Sequence, residues 1–204
     1  MPRMKPIVTS KWNPAVRVEL EQLFASTVIT DARRFERDAA RARLNRPKYD
    51  TLIKPLGSIP WWFVACVHCL EASFSFEKHL HNGDPLSERT VNEPRFRPLT
   101  GKPPYTWWES ARDALTMPGK QFHLETDWSI ARALWLLEGF NGHGYRLYRG
   151  IHSPYLWAGT NHYTKGKYIA DGKYDENAVS KQAGVAGLLH LLLSPEQLSQ
   201  GRES

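Results

Sequence analysis

Long apolar runs are missing from this chain. No stretch approaches the roughly 18–20 residues that a membrane-spanning helix requires, so no insertion into a bilayer is expected. The opening MPRMKPIVTSKW is basic but has no apolar core of the kind a secretory signal carries. The expectation is synthesis in the cytoplasm without a signal peptide, with any work outside the cell reached by release or by another export device. Cysteine is scarce: only Cys66 and Cys69 occur, three apart in an apolar segment. On a helix such positions project from one backbone as neighbours, which makes a disulfide awkward and points to two reduced thiols. A zinc ribbon is disfavoured because there is no second cysteine pair. No internal repeat is visible.

What is present is aromatic and basic. Within 204 residues there are eight Trp, eight Tyr and eight Phe, and hydrophobic residues make up 41%. That supports one compact domain or a domain with a small appendage. We divide it into an N-terminal helical segment over 1–50 and a main domain over 51–204. Some of the aromatics are expected to line a groove, because flat rings stack on sugars and on bases. The formal charge of +6 suits a polyanionic partner, whether nucleic acid, acidic lipid or an anionic cell wall.

The pattern along the chain is mainly helical. Asn13 followed by Pro14 reads as an N-cap and first helical position, opening a helix that continues to about Thr30. The charged run from Asp31 to Arg46 extends it with a solvated face, or else anchors an anionic polymer. Pro60 starts PWWFVACVHCLEA, a helix apolar nearly all round and therefore central to the fold, ending near Ala72. From Ser73 to Tyr105 two Gly and five Pro break the pattern. Asn82-Gly83 is a turn signal there, giving a small irregular β-hairpin and then a long loop. Thr106 and Glu109 form a capping box for a helix to about Met117. Asp127 caps the next, from Trp128 to about Gly139. A Gly- and Tyr-rich loop follows, with a short helix at Ser153–Ala158. A last helix runs from about Glu176 to Leu193, its small residues at 183–187 suited to close packing.

One acid stands out. Glu71 is the only carboxylate on the apolar helix and lies in its last turn. Desolvation disfavours its charged form, which is what a proton donor near neutral pH needs. The plainer alternative is a buried Glu tied to an amide or a lysine. Asp84, in the HNGD turn, is the candidate second carboxylate: ionised, and able to position water or stabilise an oxocarbenium-like state. Otherwise it is a turn residue.

The run HCLEASFSFEKHLHNGD resembles the catalytic helix-to-hairpin segment of the lysozyme superfamily, nearest its goose-type lysozyme and soluble lytic transglycosylase branch and related phage or prophage proteins. Glu71-Ala72-Ser73-Phe74 is similar to the Glu-Ser-x-Phe-type segment of the transglycosylases, and Asn82-Gly83-Asp84 to the turn carrying the second acid of goose-type enzymes. GFNGHGY, Gly139 to Tyr145, is similar to the Tyr-Asn-x-Gly loop that holds N-acetyl sugars. The usual Gly-Leu-Met-Gln segment of transglycosylases is absent. The resemblance spans Ile59 to Tyr168. It implies a mainly α, α+β lysozyme-like domain with a small β-hairpin flanking the cleft. It also implies a monomeric, cofactor-free, bacteriolytic peptidoglycan hydrolase with Glu71 as general acid and Asp84 as base or electrostatic partner. Asn141, Tyr145, Tyr155, Trp157, Tyr163 and His81 are the candidate sugar contacts.

Three rivals stay open. A lytic transglycosylase would use Glu71 alone. A zinc-dependent peptidoglycan amidase or peptidase would draw on H-x-H-x-x-D, that is His79, His81 and Asp84, with His143, His152 and His162 downstream. A non-enzymatic nucleic-acid binder would use the basic and aromatic residues, although no such motif is recognised and the bases at 33–46 alternate with acids.

Overall fold

The computed structural model describes residues 4–170 and 172–194. The fold is mostly helical with one small antiparallel strand pair. Contacts divide it into two compact units: one joins the chain before residue 40 to the chain after residue 128, and the other is the continuous segment 40–128. Position 50, the sequence-based boundary, lies inside a helix.

In the first unit, α1 (Pro14–Ala25) begins as its sequence requires. The Asn13 side chain accepts from the Ala15 and Val16 amides at 3.0 and 3.1 Å, and Pro14 occupies the first turn. It stops short of Thr30 because the Ser26 and Thr27 hydroxyls turn back and donate to the Gln22 and Leu23 carbonyls. Helix α5 (Ile130–Asn141) packs on α1, on α6 (Pro154–Trp157) and on α7 (Val185–Leu192). Its N-cap is Ser129, whose hydroxyl accepts from Arg132, and not Asp127.

A buried ionic cluster pins these pieces together. The Arg146 guanidinium donates to Glu138 at 2.7 Å, pairs with Glu19 at 3.2 Å and donates to the Ile7 carbonyl at 2.8 Å. Both acids and the arginine are almost wholly buried, so each charge depends on the others for the solvation it has lost.

Close packing around α7 needs glycine. A Cβ at Gly187 would overlap the Phe35 ring, and one at Gly184 would meet the backbone at Leu156 and Ala158. The helix starts at Val185 and not near Glu176. Upstream, the Asp175 carboxylate instead accepts from the Asn177 and Ala178 amides in a tight turn.

The strand pair belongs to this unit. Strands β1 (Lys167–Ala170) and β2 (Lys173–Asp175) run antiparallel with an irregularity between Tyr168 and Ala170. The sequence placed the hairpin in 73–105 instead. Among the described residues, that segment contains only a single bridge, Lys78 with Pro85. Its prolines remove ladder donors, and the amides of Val91 and Asn92 go to the Asp84 side chain.

The second unit contains the C-terminal part of α2 (Ala32–Ile53), then α3 (Trp61–Ala72) and α4 (Trp107–Thr116). Helix α3 is buried from Trp62 through Leu70, as its unbroken apolar character predicts. His68 lies within it, fully buried. Its Nε2–H donates to the Ser75 carbonyl at 3.0 Å, so Nδ1 accepts from the Tyr49 hydroxyl at 2.9 Å. Burial pushes its pKa down to about 4, which keeps the ring neutral. Phe74, Phe76 and Trp107 surround it. Helix α4 carries the expected capping box, with Thr106 accepting from the Glu109 amide and Glu109 from that of Thr106.

Candidate active site

Glu71 occupies the last turn of α3, half-buried, where the helix is brought to an abrupt end. Ser73 and Phe74 are both left-handed, with φ of 49° and 60°. Side chains avoid that region at about 1–2 kcal/mol per residue. Their amides nevertheless close on Cys69 and His68 carbonyls at 3.1 Å each, so the tight cap is fully bonded. Strain of this kind concentrates where a side chain must be aimed.

The HNGD turn is seated on that helix end. Gly83 has φ +79°, and a Cβ there would collide with the Glu71 carbonyl oxygen. Its amide donates to the His79 carbonyl at 2.9 Å. The two candidate carboxylate segments are therefore in contact through backbone, with glycine the one residue small enough for the approach.

Asp84 is 8% exposed and is enclosed by its own loop. Its carboxylate accepts from the Val91 and Asn92 amides at 2.8 and 3.0 Å and from the Asn92 and Asn82 side chains at 2.7 and 3.0 Å. Burial pushes its pKa up, but these four bonds outweigh it and hold the carboxyl below its ordinary value. The arrangement keeps Asp84 ionised, with three of the four bonds on Oδ2 and one on Oδ1.

The histidines of H-x-H-x-x-D are engaged as well. His79 Nε2–H donates to the Glu88 carbonyl at 2.8 Å, and Nδ1 meets the Ser110 hydroxyl at 2.9 Å. His81, buried, contacts Asp113 at 2.8 Å, and Asp113 is gripped by Arg97 through two bonds of 2.8 and 2.5 Å. These rings tie the 78–90 loop to α4. Among the described residues no three His, Cys, Asp or Glu converge as a metal-ligand set. His81 also presents no free surface for a sugar.

Lys120 was not foreseen. It follows α4 in a turn closed by its own amide on the Met117 carbonyl at 2.9 Å. Burial lowers its pKa to about 8, and attraction to Glu71 opposes the drop. Glu71 thus has a cationic neighbour whose proton is loosely held. A lone lysine in a loop gives no sequence signal of this.

The remaining sequence-predicted contacts lie in the first unit. Asn141 is the exposed last residue of α5, and Gly142 caps the helix at φ +93°. They open a cavity of about 470 Å3 that Tyr145, Tyr155, Tyr148 and Tyr168 also line. This lies within the roughly 300–1,000 Å3 of small-molecule sites. The Tyr145 hydroxyl accepts from the Tyr168 amide at 3.0 Å, which fixes β1 against the cavity wall. Trp157 and Tyr163 play other parts. Trp157 is 1% exposed, a core ring edge-on to His152 and His162. The Tyr163 hydroxyl, also buried, donates to the Gly166 carbonyl and accepts from the Ser180 amide.

No helix of the described chain is long and apolar enough to cross a membrane. Searches of protein-family models, of curated proteins and of solved structures gave no match to this chain.

Proposed function

We propose that this chain is a lysozyme-like glycoside hydrolase that cleaves the glycan strands of peptidoglycan, with Glu71 as the proton donor. The observation that carries the reading is the setting of Glu71. It is the one acid of an otherwise apolar helix, half-buried at a strained cap, with the HNGD turn seated on its carbonyl and Lys120 as its charged neighbour.

Before cleavage the lysine favours the Glu71 carboxylate. A sugar that displaces water from the pair removes the solvation both charges rely on, and the neutral forms gain. The proton then passes from Lys120 Nζ to the Glu71 carboxylate. Glu71 delivers it to the glycosidic oxygen as the C1–O bond breaks, and the ring charge is quenched by water, whose proton returns to the carboxylate. The Asn141 and Tyr145 cavity of the first unit is a saccharide site in its own right. The net charge of +6 draws the protein to an anionic wall. The enzyme acts as a monomer without a cofactor, and reaches the wall after release or export.

A second reading has one observation in its favour. Asp84 is nearly buried and held in its own loop by four hydrogen bonds, which restricts its access to an attacking water. Glu71 acting alone would then close the sugar on itself, as a lytic transglycosylase does. Mass spectrometry of digested wall separates these outcomes: reducing-end sugars for hydrolysis, anhydro-sugars for transglycosylation, freed peptides for an amidase. Glu71→Gln should abolish clearing of purified walls with the fold intact, and clearing retained by that variant refutes the assignment.

A further inference from the structure

Helix α2 carries seven cations and three acids, so this one helix holds four of the chain's six net positive charges. Its second half is the denser part. No acid occurs from Ala39 to Tyr49, while Arg41, Arg43, Arg46 and Lys48 all reach solvent. Asp38 and Asp50 bound the stretch and pair with Arg37 at 3.1 Å and with Arg46 at 3.4 Å.

The helical period sorts these residues into a pattern. Ala42 and Tyr49 are buried and mark the inward side. At 3.6 residues per turn, Leu44 and Pro47 fall opposite them. Leu44 is 80% exposed, the most exposed large apolar side chain among the described residues. Arg43 and Arg46 lie on one flank of this apolar crown, and Arg41 and Lys48 on the other. The flanks are held in place. The Arg41 guanidinium lies over the Phe74 ring at 5.1 Å and donates to the Ser73 carbonyl at 2.9 Å. Lys48 Nζ lies over the Phe76 ring at 3.9 Å, and Arg46 over that of Trp61 at 5.0 Å.

An apolar crown between two rows of long-stemmed cations suits a phospholipid surface. The crown enters the boundary between headgroups and acyl chains, and the cations stay level with the phosphates. A nucleic-acid backbone would match the cations but leave Leu44 without a role. We infer that the 41–48 face of α2 docks the chain on an anionic phospholipid bilayer, peripherally and without a spanning segment. This goes beyond the glycan-cleaving reading and does not depend on it.

Co-sedimentation of the full chain with vesicles tests the docking face. The two vesicles are pure phosphatidylcholine, and phosphatidylcholine with about a third phosphatidylglycerol, the range in which a surface potential attracts basic segments. The chain should bind the second and not the first, and added salt should weaken the binding. Lys48→Gln should lower the partition coefficient roughly fivefold, the worth of about 1 kcal/mol per cation at such a surface. Leu44→Ser should lower it roughly three- to tenfold through lost apolar burial. Both side chains are exposed, so the variants keep the fold, and Val28→Ser, at a position 60% exposed on another segment, should change nothing. Anionic vesicles left unbound overturn the inference. So does binding that Leu44→Ser leaves intact, since that would be attraction by overall charge alone. A single-stranded oligonucleotide that binds more tightly than the vesicles, with no loss in Leu44→Ser, would give the face to nucleic acid instead.

Discussion

The carbonyl oxygen of Glu71 occupies the space where a side chain on residue 83 would begin. The candidate acid and the turn after it are thus locked by a backbone contact, and the lock depends on one missing methyl group. Gly83→Ala meets both a collision with main chain and a left-handed φ of +79°. We expect a loss of about 2–4 kcal/mol in urea unfolding and wall clearing reduced together with it. An alanine variant with wild-type midpoint and activity would show that the turn moves aside freely.

Asp84→Asn separates a catalytic from a structural carboxylate. The replacement can keep an oxygen for the Val91 and Asn92 amides but puts a donor where Oδ1 accepts from the Asn92 side chain, so about 1–3 kcal/mol of stability should go. Its carboxyl is held below the ordinary value of 3.8 in the fold. The stability it lends is therefore present above that value and lost as pH falls through the lower, folded one. If activity per folded molecule is nearly unchanged, Asp84 organises the loop. A stable but inactive variant would make it a catalytic group.

Lys120 should appear in the pH profile of cleavage. Lys120 supplies the proton in the proposed cycle and loses it at about 8. Lys120→Gln leaves the carboxyl as the only group to hold that proton, so the alkaline limb of the rate profile should move to lower pH. Lys120→Arg, with a cation that keeps its proton and favours the ionised carboxyl, should move it further in the same direction and lower the rate. Superimposable profiles for all three proteins would remove Lys120 from the chemistry.

His68 gives the fold its own pH dependence. Its pKa is lowered in the fold from 6.5 to about 4. A depressed histidine binds its proton more readily when unfolded, so stability is full above 6.5 and declines as pH falls towards 4. The decline amounts to roughly 3 kcal/mol for this group. Chemical denaturation between pH 7 and pH 4 checks it, and a flat stability curve would contradict the buried neutral ring.

Local signals in the sequence translated well where the deciding partner is three or four residues away. Asn13 capping α1, the Thr106–Glu109 box and the all-apolar α3 are of this kind. Failures fall where a partner is distant in sequence or where two near residues compete. Ser129 displaced Asp127 as cap, and Asp175 diverted the segment before α7 into a turn. Prolines and the Asp84 knot kept 73–105 from pairing as strands. Of the candidate site, Glu71, the HNGD turn and the Asn141–Tyr145 segment were legible as motifs. Lys120 was not, because a single lysine in a loop looks the same whether it meets solvent or a carboxylate. Trp157 misled for the converse reason: its ring is suited to a groove, but it is used in the core.

The buried Arg146 cluster has a consequence for how the molecule is made. Its members Ile7 and Glu19 leave the ribosome long before Glu138 and Arg146 do. During synthesis the early glutamate has no counter-ion, and α1 has no α5 to lie against, until more than half the chain has emerged. The segment 40–128 needs no such wait, since its internal contacts are continuous in sequence. A ribosome stalled before residue 129 would release a chain whose middle can condense while its beginning is left exposed to proteases.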